Sequence, residues 1–170
     1  MPFSFLPRMI YPHLTDVRAE DLTARGVSFL MLDFDNTIVP YTTSEPTPEM
    51  AAWLGAMQAS GIGLCVVSNS KKPRVVTFCK MYGLDCVTHA KKPFQKGISE
   101  CLARFHLRPE TAALVGDQIF TDRLAAGLYG ISCLYTMPRG GDHQRGVQFK
   151  RRFEPYWLGR YYQKGGRLYE

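Results

Sequence analysis

The run VSFLML, residues 27–32, leads straight into Asp33-Phe34-Asp35-Asn36-Thr37. Six uncharged, mostly apolar residues read as a strand buried on both faces, because such a strand has no solvent side to make polar. The strand ends on two carboxylates two residues apart, a spacing that sets both on the same side of an extended chain. Alone, an Asp-x-Asp pair is also an ordinary polar turn, since Asp, Asn and Thr favour turns. The rest of the chain has to decide between the two.

Outward from this strand the pattern repeats. Residues 62–67, IGLCVV, form a second buried strand that ends at Ser68. Asp85–Thr88 reads as a short third strand, Ala112–Val115 as a fourth ending at Gly116-Asp117, and Ile131–Thr136 as a fifth. Helical segments lie between. The first starts near Thr15-Asp16 and stops at Gly26. The next is capped by Thr47, with Pro48 at its first position, and closed by Gly61. Others cover Pro73–Met81, Gln95–Phe105 and Asp122–Leu128. Alternating strands and helices predict an α/β fold, a three-layer sandwich around a five-stranded parallel sheet of Rossmann type. Ligands bind such sheets outside the carboxyl ends of the strands. Asp33, Ser68 and Asp117 all fall there.

Three further pieces join the Asp33–Asp35 pair. Ser68-Asn69-Ser70 offers hydroxyl and amide donors ahead of a helix, suited to a phosphoryl oxygen or to plain N-capping. Lys92 is restricted by Pro93, which follows it. Gly116 allows close backbone approach next to Asp117, and Asp117 with Asp33 makes a pair of hard oxygen donors suited to Mg²⁺. Asp122 reads equally as a supporting carboxylate and as a helix cap.

Taken in order, Asp33-x-Asp35-x-Thr37, Ser68, Lys92 and Gly116-Asp117-x(4)-Asp122 resemble the four motifs of the haloacid dehalogenase superfamily. The resemblance covers roughly residues 14–137. The wording LDFDNTIVP, AKKP and GDQIFTD is similar to the YqeG-type branch of subfamily IIIA, which includes phosphatidylglycerophosphate phosphatases. It implies a phosphatase in which Asp33 attacks phosphorus and forms an aspartyl-phosphate. Asp35 would act as acid and then base. The Asp33 side chain, the Asp35 carbonyl and the Asp117 side chain would hold Mg²⁺. Ser68, with Asn69, would bind a phosphoryl oxygen, and Lys92 would neutralise charge; Thr37 and Asp122 would support them. The implied substrate is phosphatidylglycerophosphate, in phospholipid synthesis. The alternatives are a soluble phosphosugar or nucleotide phosphatase, or a membrane or nucleic-acid binding module with a vestigial site.

Composition narrows the rest. The chain has 170 residues, 45% hydrophobic and 21% charged, enough for one domain with its own core. Five scattered cysteines argue against a disulfide framework and a zinc site. The segments after Asp33 and after Thr88 are too short for a sizeable cap domain, so the site is expected to be open to water and to large substrates. The net charge of +6 is concentrated at the end. Residues 139–170 carry eight lysines and arginines against three acidic residues, leaving thirteen against twelve for residues 1–138. This divides the chain into a catalytic domain, 1–137, and a basic aromatic tail, 138–170, packed on the domain or extending from it. Phe149, Phe153, Tyr156, Trp157, Tyr161 and Tyr162 interleave there with basic residues. That pattern suits an anionic membrane surface, and equally a terminal helix that packs its aromatics and leaves its charges in water. Aromatics with basic residues also suit nucleic acid, but the tail carries no motif for it. No stretch is long and apolar enough to span a bilayer, and the proline-broken N-terminus is a poor signal peptide. The expectation is a cytoplasmic protein with peripheral contact at the inner face of the membrane, of unassigned oligomeric state.

Overall fold

The computed structural model describes residues 6–94, 96–142 and 144–169. Six strands form one sheet: β1 (Met9–Tyr11), β2 (Phe29–Leu32), β3 (Gly63–Val67), β4 (Asp85–Val87), β5 (Ala112–Gly116) and β6 (Ser132–Thr136). All five pairings are parallel, and the spatial order is β1-β6-β5-β2-β3-β4. Among the described residues seven α-helices accompany them: α1 (Ala19–Thr23), α2 (Pro48–Ala59), α3 (Pro73–Met81), α4 (Lys96–Arg104), α5 (Leu124–Tyr129), α6 (Arg145–Arg151) and α7 (Glu154–Gln163). Gln95, the expected start of the fourth long helix, lies outside the described residues.

The expected α/β sandwich is present, with a sheet of six strands instead of five. The additional strand, β1, is three residues long and bracketed by Pro7 and Pro12. Prolines cannot donate to a ladder, and so short a run shows no period, so its sequence reads as a broken apolar leader. Contacts distant in sequence make it a strand. Met9, Ile10 and Tyr11 pair with Leu134, Tyr135 and Thr136. Its outer edge is covered by the chain's end, where Tyr169 N–H donates to the Ile10 carbonyl at 2.8 Å.

Strand periodicity sorts the core into two layers. Leu30 and Leu32 of β2 join Leu64, Val66 and Val115 on the face covered by α2 and α3, against Trp53, Leu54 and Phe78. Phe29 and Met31 join Cys65, Val67 and Leu114 on the opposite face, against Ile98 of α4 and Ala125 and Ala126 of α5. β2 is buried throughout, which is why its sequence lacks a polar alternation. Helix boundaries follow local chemistry. The Thr47 hydroxyl accepts the Met50 N–H at 3.3 Å and Pro48 opens α2, while Gly61 leaves it in the left-handed region at φ +82°. The expected first helix divides into a 3₁₀ turn, Leu14–Asp16, and the short α1.

From β2 the chain steps outward through β3 to β4. It then returns behind the other face, through α4, to β5 on the far side of β2. Strand order therefore reverses between β2 and β5, and a crevice opens at their carboxyl ends. Among the described residues no large cap is inserted over it. The basic tail supplies part of the enclosure, because Asp142, Gln144, Val147 and Lys150 line the cleft. The expected lack of a sizeable cap holds, and the tail adds a wall to the cleft.

Candidate active site

Asp33 follows the last residue of β2 and stays in the sheet, its N–H donating to the Val115 carbonyl at 2.9 Å. Phe34 turns into the core and meets Phe78 edge-on, with centroids 5.1 Å apart. The alternation returns Asp35 to the cleft side, so both carboxylates line the same cavity of about 410 Å³. The chain then doubles back: Asn36, at φ +61°, bonds its N–H to the Val39 carbonyl at 2.7 Å. Asparagine tolerates this left-handed conformation better than most residues. The turn delivers the Thr37 hydroxyl to Asp117, donating to Oδ1 at 3.3 Å.

Lys92 is the centre of the buried charge. Its Nζ lies 2.6 Å from Asp33 Oδ1 and 2.6 Å from Asp122 Oδ1, with almost no side-chain exposure. Burial would lower its pKa, but the flanking carboxylates of Asp122 and Asp33 override that and raise it. Its backbone is held by Asn69, whose side-chain amide accepts from the Lys92 N–H at 2.7 Å and donates to the Lys92 carbonyl at 2.9 Å. Asn69, expected to assist at a phosphoryl oxygen, lines the cleft and also holds the lysine loop. Ser68 is buried at the end of β3, its Oγ accepting the Ser70 N–H at 3.0 Å.

Asp122 takes the supporting placement and does not cap the next helix, whose N-cap position is Arg123. Oδ1 faces Lys92, and Oδ2 accepts the Gln118 N–H at 3.2 Å and the Thr121 hydroxyl at 3.3 Å. Only glycine leaves room for it, since a Cβ at Gly116 would lie 2.3 Å from Asp122 Cγ. Asp117, Asp33 and Asp122 each offer a carboxylate oxygen, all within 4.8 Å of one another. Such a set of hard, closely spaced oxygens fits a divalent cation. Of the residues expected to hold metal, Asp33 and Asp117 belong to this set. Asp35, expected to contribute its backbone carbonyl, has its side chain paired with Arg74. Burial pushes the Asp33 carboxyl up to about 6, with Lys92 opposing and Asp122 adding to the shift. Burial also pushes Asp117 up to about 8, against the pull of Arg151.

Two arginines were not singled out in the sequence. Arg74 of α3 bonds the Asp35 carboxylate and the Thr43 carbonyl. Arg151 of α6 bonds Asp117 through both side chain and carbonyl, and pairs with Asp142 and Glu154 at 2.8 Å. Nothing in the basic run distinguishes Arg151 from its neighbours, because the partner that brings it to the site, Asp117, is 34 residues away. The tail's aromatics divide. Tyr161 is buried beside Ile10, Ile119 and Tyr135, and Trp157 and Leu158 pack on them. Phe149, Phe153 and Tyr156 are exposed.

A switch-point crevice, Asp33 and Asp35 leaving the central strand, and a buried lysine between carboxylates are features of one hydrolase class. A family model for haloacid dehalogenase-like hydrolases matches residues 5–130. The chain belongs to that family, and it is a phosphatase. It is similar to the probable phosphatase YqeG of Bacillus subtilis (strain 168), 28% identical over 161 residues, covering 95% of this chain and 94% of the other. It is 25% identical over 166 residues to the chloroplastic phosphatidylglycerophosphate phosphatase 1 of Chlamydomonas reinhardtii, covering 92% of this chain and 62% of the other. Among solved structures it resembles the 3-deoxy-D-manno-octulosonate 8-phosphate phosphatase of Moraxella catarrhalis, determined with magnesium ion, phosphate ion and a KDO molecule. That TM-score is 0.53 at 16% identity, over 84% of this chain and 99% of the other. A hypothetical protein from Xanthomonas campestris gives a TM-score of 0.57 at 16% identity, over 83% and 76%. These structural likenesses concern the fold alone.

Proposed function

We propose that the chain hydrolyses phosphate monoesters with Asp33 as nucleophile. The observation that carries this reading is the Asp33 carboxylate at the floor of the cleft, 2.6 Å from Lys92 and grouped with Asp117 and Asp122. An Asp33 oxygen attacks phosphorus, and the bond from phosphorus to the leaving oxygen breaks, giving an aspartyl-phosphate. Asp35 protonates the leaving oxygen. It then takes a proton from the water that attacks the aspartyl-phosphate, which returns Asp33 and releases inorganic phosphate. Arg74 positions the Asp35 carboxylate. Lys92 balances the charge gathered at Asp33, and the Ser68 hydroxyl is available to a phosphoryl oxygen. Thr37 and Arg151 orient Asp117, and Asp122 holds Lys92.

Mg²⁺ is the proposed cofactor, held by Asp33, Asp117 and the Asp35 carbonyl; when bound it screens the repulsion between anionic nucleophile and anionic ester. Asp33 and Asp117 both have raised pKa values, so they retain protons in the metal-free protein at low pH. A cation must displace those protons, and its binding tightens as pH rises through about 6 to 8. The apparent Mg²⁺ affinity, read from thermal shifts, should improve by at least about tenfold from pH 5.5 to pH 8. An affinity independent of pH would remove these carboxylates from the metal site.

The proposed substrate is phosphatidylglycerophosphate. The curated relative of that name supports this, as do the exposed Phe149, Phe153 and Tyr156 beside Lys150 and Arg152, a surface suited to anionic lipid. No helix among the described residues is long and apolar enough to cross a membrane. Peripheral contact from the cytoplasmic side is the corresponding proposal for location. The test is phosphate release, with Mg²⁺ and with chelator, from phosphatidylglycerophosphate in mixed micelles beside phosphosugars and nucleotides. Release from the lipid far above the soluble esters, lost with chelator, is expected. Release from soluble esters alone would keep the chemistry and overturn the lipid substrate.

A further inference from the structure

The floor and the mouth of the cleft differ in how their charges are matched. On the floor every carboxylate has a cationic partner: Asp33 and Asp122 have Lys92, Asp35 has Arg74, and Asp117 and Asp142 have Arg151. Lys71, Lys72 and Lys150 also line the cavity, yet among the described residues none is ion-paired with a carboxylate. They come from two separate elements. Lys71 and Lys72 precede α3, and Lys150 lies on α6.

These two walls are joined across the mouth. The Tyr41 hydroxyl lies 3.2 Å from Lys72 Nζ and 3.1 Å from Gln144 Nε2, and the Lys72 ammonium sits 4.2 Å from the Tyr41 ring centroid. Lys72, though exposed, is thus tethered at the rim by Tyr41. Arg151, one residue after Lys150, ties the other wall to Asp117 on the floor. Like charges gathered on a concave, partly enclosed surface focus a field on whatever anion enters. The phosphoryl group itself goes to the floor, beside Asp33 and Lys92. The rim cations therefore face the part of the substrate that does not react.

We infer that Lys71, Lys72 and Lys150 form a second anion subsite, and that the preferred substrate carries a further anionic group, such as a phosphodiester, beyond the phosphomonoester. This rests on the phosphomonoesterase reading and adds a selectivity rule to it. The rule concerns charge, so it applies alike to a lipid headgroup and to a free soluble ester. Because the three lysines are exposed, the preference weakens as salt rises.

The test compares kcat/KM for three esters: glycerol 3-phosphate, the soluble glycerophosphoglycerol phosphate, and phosphatidylglycerophosphate in uncharged detergent micelles. Wild type is compared with a Lys71→Gln, Lys72→Gln, Lys150→Gln triple variant, whose folding is checked by circular dichroism. Wild type is expected to favour the two-anion soluble ester over glycerol 3-phosphate by about tenfold, the combined effect of three exposed charge contacts. The triple variant should lose most of that ratio, mainly through KM, and 0.5 M salt should do the same to wild type. A wild type without the preference, or a variant that keeps it, overturns the inference while leaving the phosphatase reading intact. Preference confined to the micellar lipid also overturns it, since acyl or surface contact would then be responsible. Failure of wild type to hydrolyse any of the three sinks the phosphomonoesterase reading, and the subsite with it.

Discussion

Asp33→Asn is expected to fold and to lose phosphatase activity by at least about 10⁴-fold, the scale of removing a nucleophile that acts with its partners as a unit. The loss of rate follows from chemistry. An amide cannot make the bond to phosphorus that a carboxylate makes, and it is a poor ligand for a hard cation. Retention of the fold follows from the surroundings. Asp33 is only 6% exposed, and burial raises its pKa, so the site already disfavours the charged form. A neutral, nearly isosteric amide removes that penalty. Lys92 keeps a partner, because Asp122 lies 2.6 Å from it as well. The melting temperature of the variant, measured without metal at pH 8, should match or exceed wild type. A folded variant that still releases phosphate would remove Asp33 from the nucleophile role.

Lys92→Met should have the opposite balance, costing both stability and activity. Lys92 is the cation between Asp33 and Asp122, and all three are buried. Without it the two carboxylates share a desolvated pocket with no opposite charge. Breaking a buried pair in this way costs about 3–5 kcal/mol. For a chain of this size that lowers the melting temperature by roughly 6–20 °C. The pH dependence has a definite sign. The folded-state pKa of Lys92 is raised above the ordinary 10.5, so its contribution is fully present below pH 10.5 and is lost as pH rises through the folded value. In the variant the carboxylates titrate instead. Asp33 already ionises near 6 with the lysine present, and without it its pKa is higher still. Acidification protonates the folded form first, so the variant's deficit should shrink from pH 8 to pH 5. Activity should fall by about 10²–10³-fold, as when one preorganised electrostatic partner is removed from a reaction centre. A deficit that does not change with pH would show that lost packing, not unpaired charge, is responsible.

Much of the architecture was legible because it rests on local signals. Thr47-Pro48 and Gly61 mark α2, Pro73 and Gly83 bound α3 and its turn, and the uncharged run before Asp33 marks the central strand. The order of the chemical groups, with Asp33, Ser68 and Asp117 each at a strand's carboxyl end, was also visible, because chain order and strand direction fix that end of a parallel sheet. Asp122 stayed ambiguous because capping and ion pairing ask for the same residue type, and here it pairs with Lys92 instead of capping α5.

The remaining features depend on contacts between distant residues. Met9–Tyr11 has no pattern of its own and becomes a strand because β6 and the end of the chain flank it. Asn69 was legible as a polar residue at the right place, but that its amide holds Lys92 requires two loops to meet. Arg74 and Arg151 are two of many basic residues, and only folding sets their guanidinium groups against Asp35 and Asp117. In the tail, composition established a basic and aromatic character. Tertiary structure decided that Tyr161 enters the core, that Phe149 and Phe153 stay outside, and that Gln144, Val147 and Lys150 wall the cleft. Local propensity and strand order are properties of neighbouring residues, so one sequence suffices to read them. The partner of a buried charge is chosen by the whole packed chain.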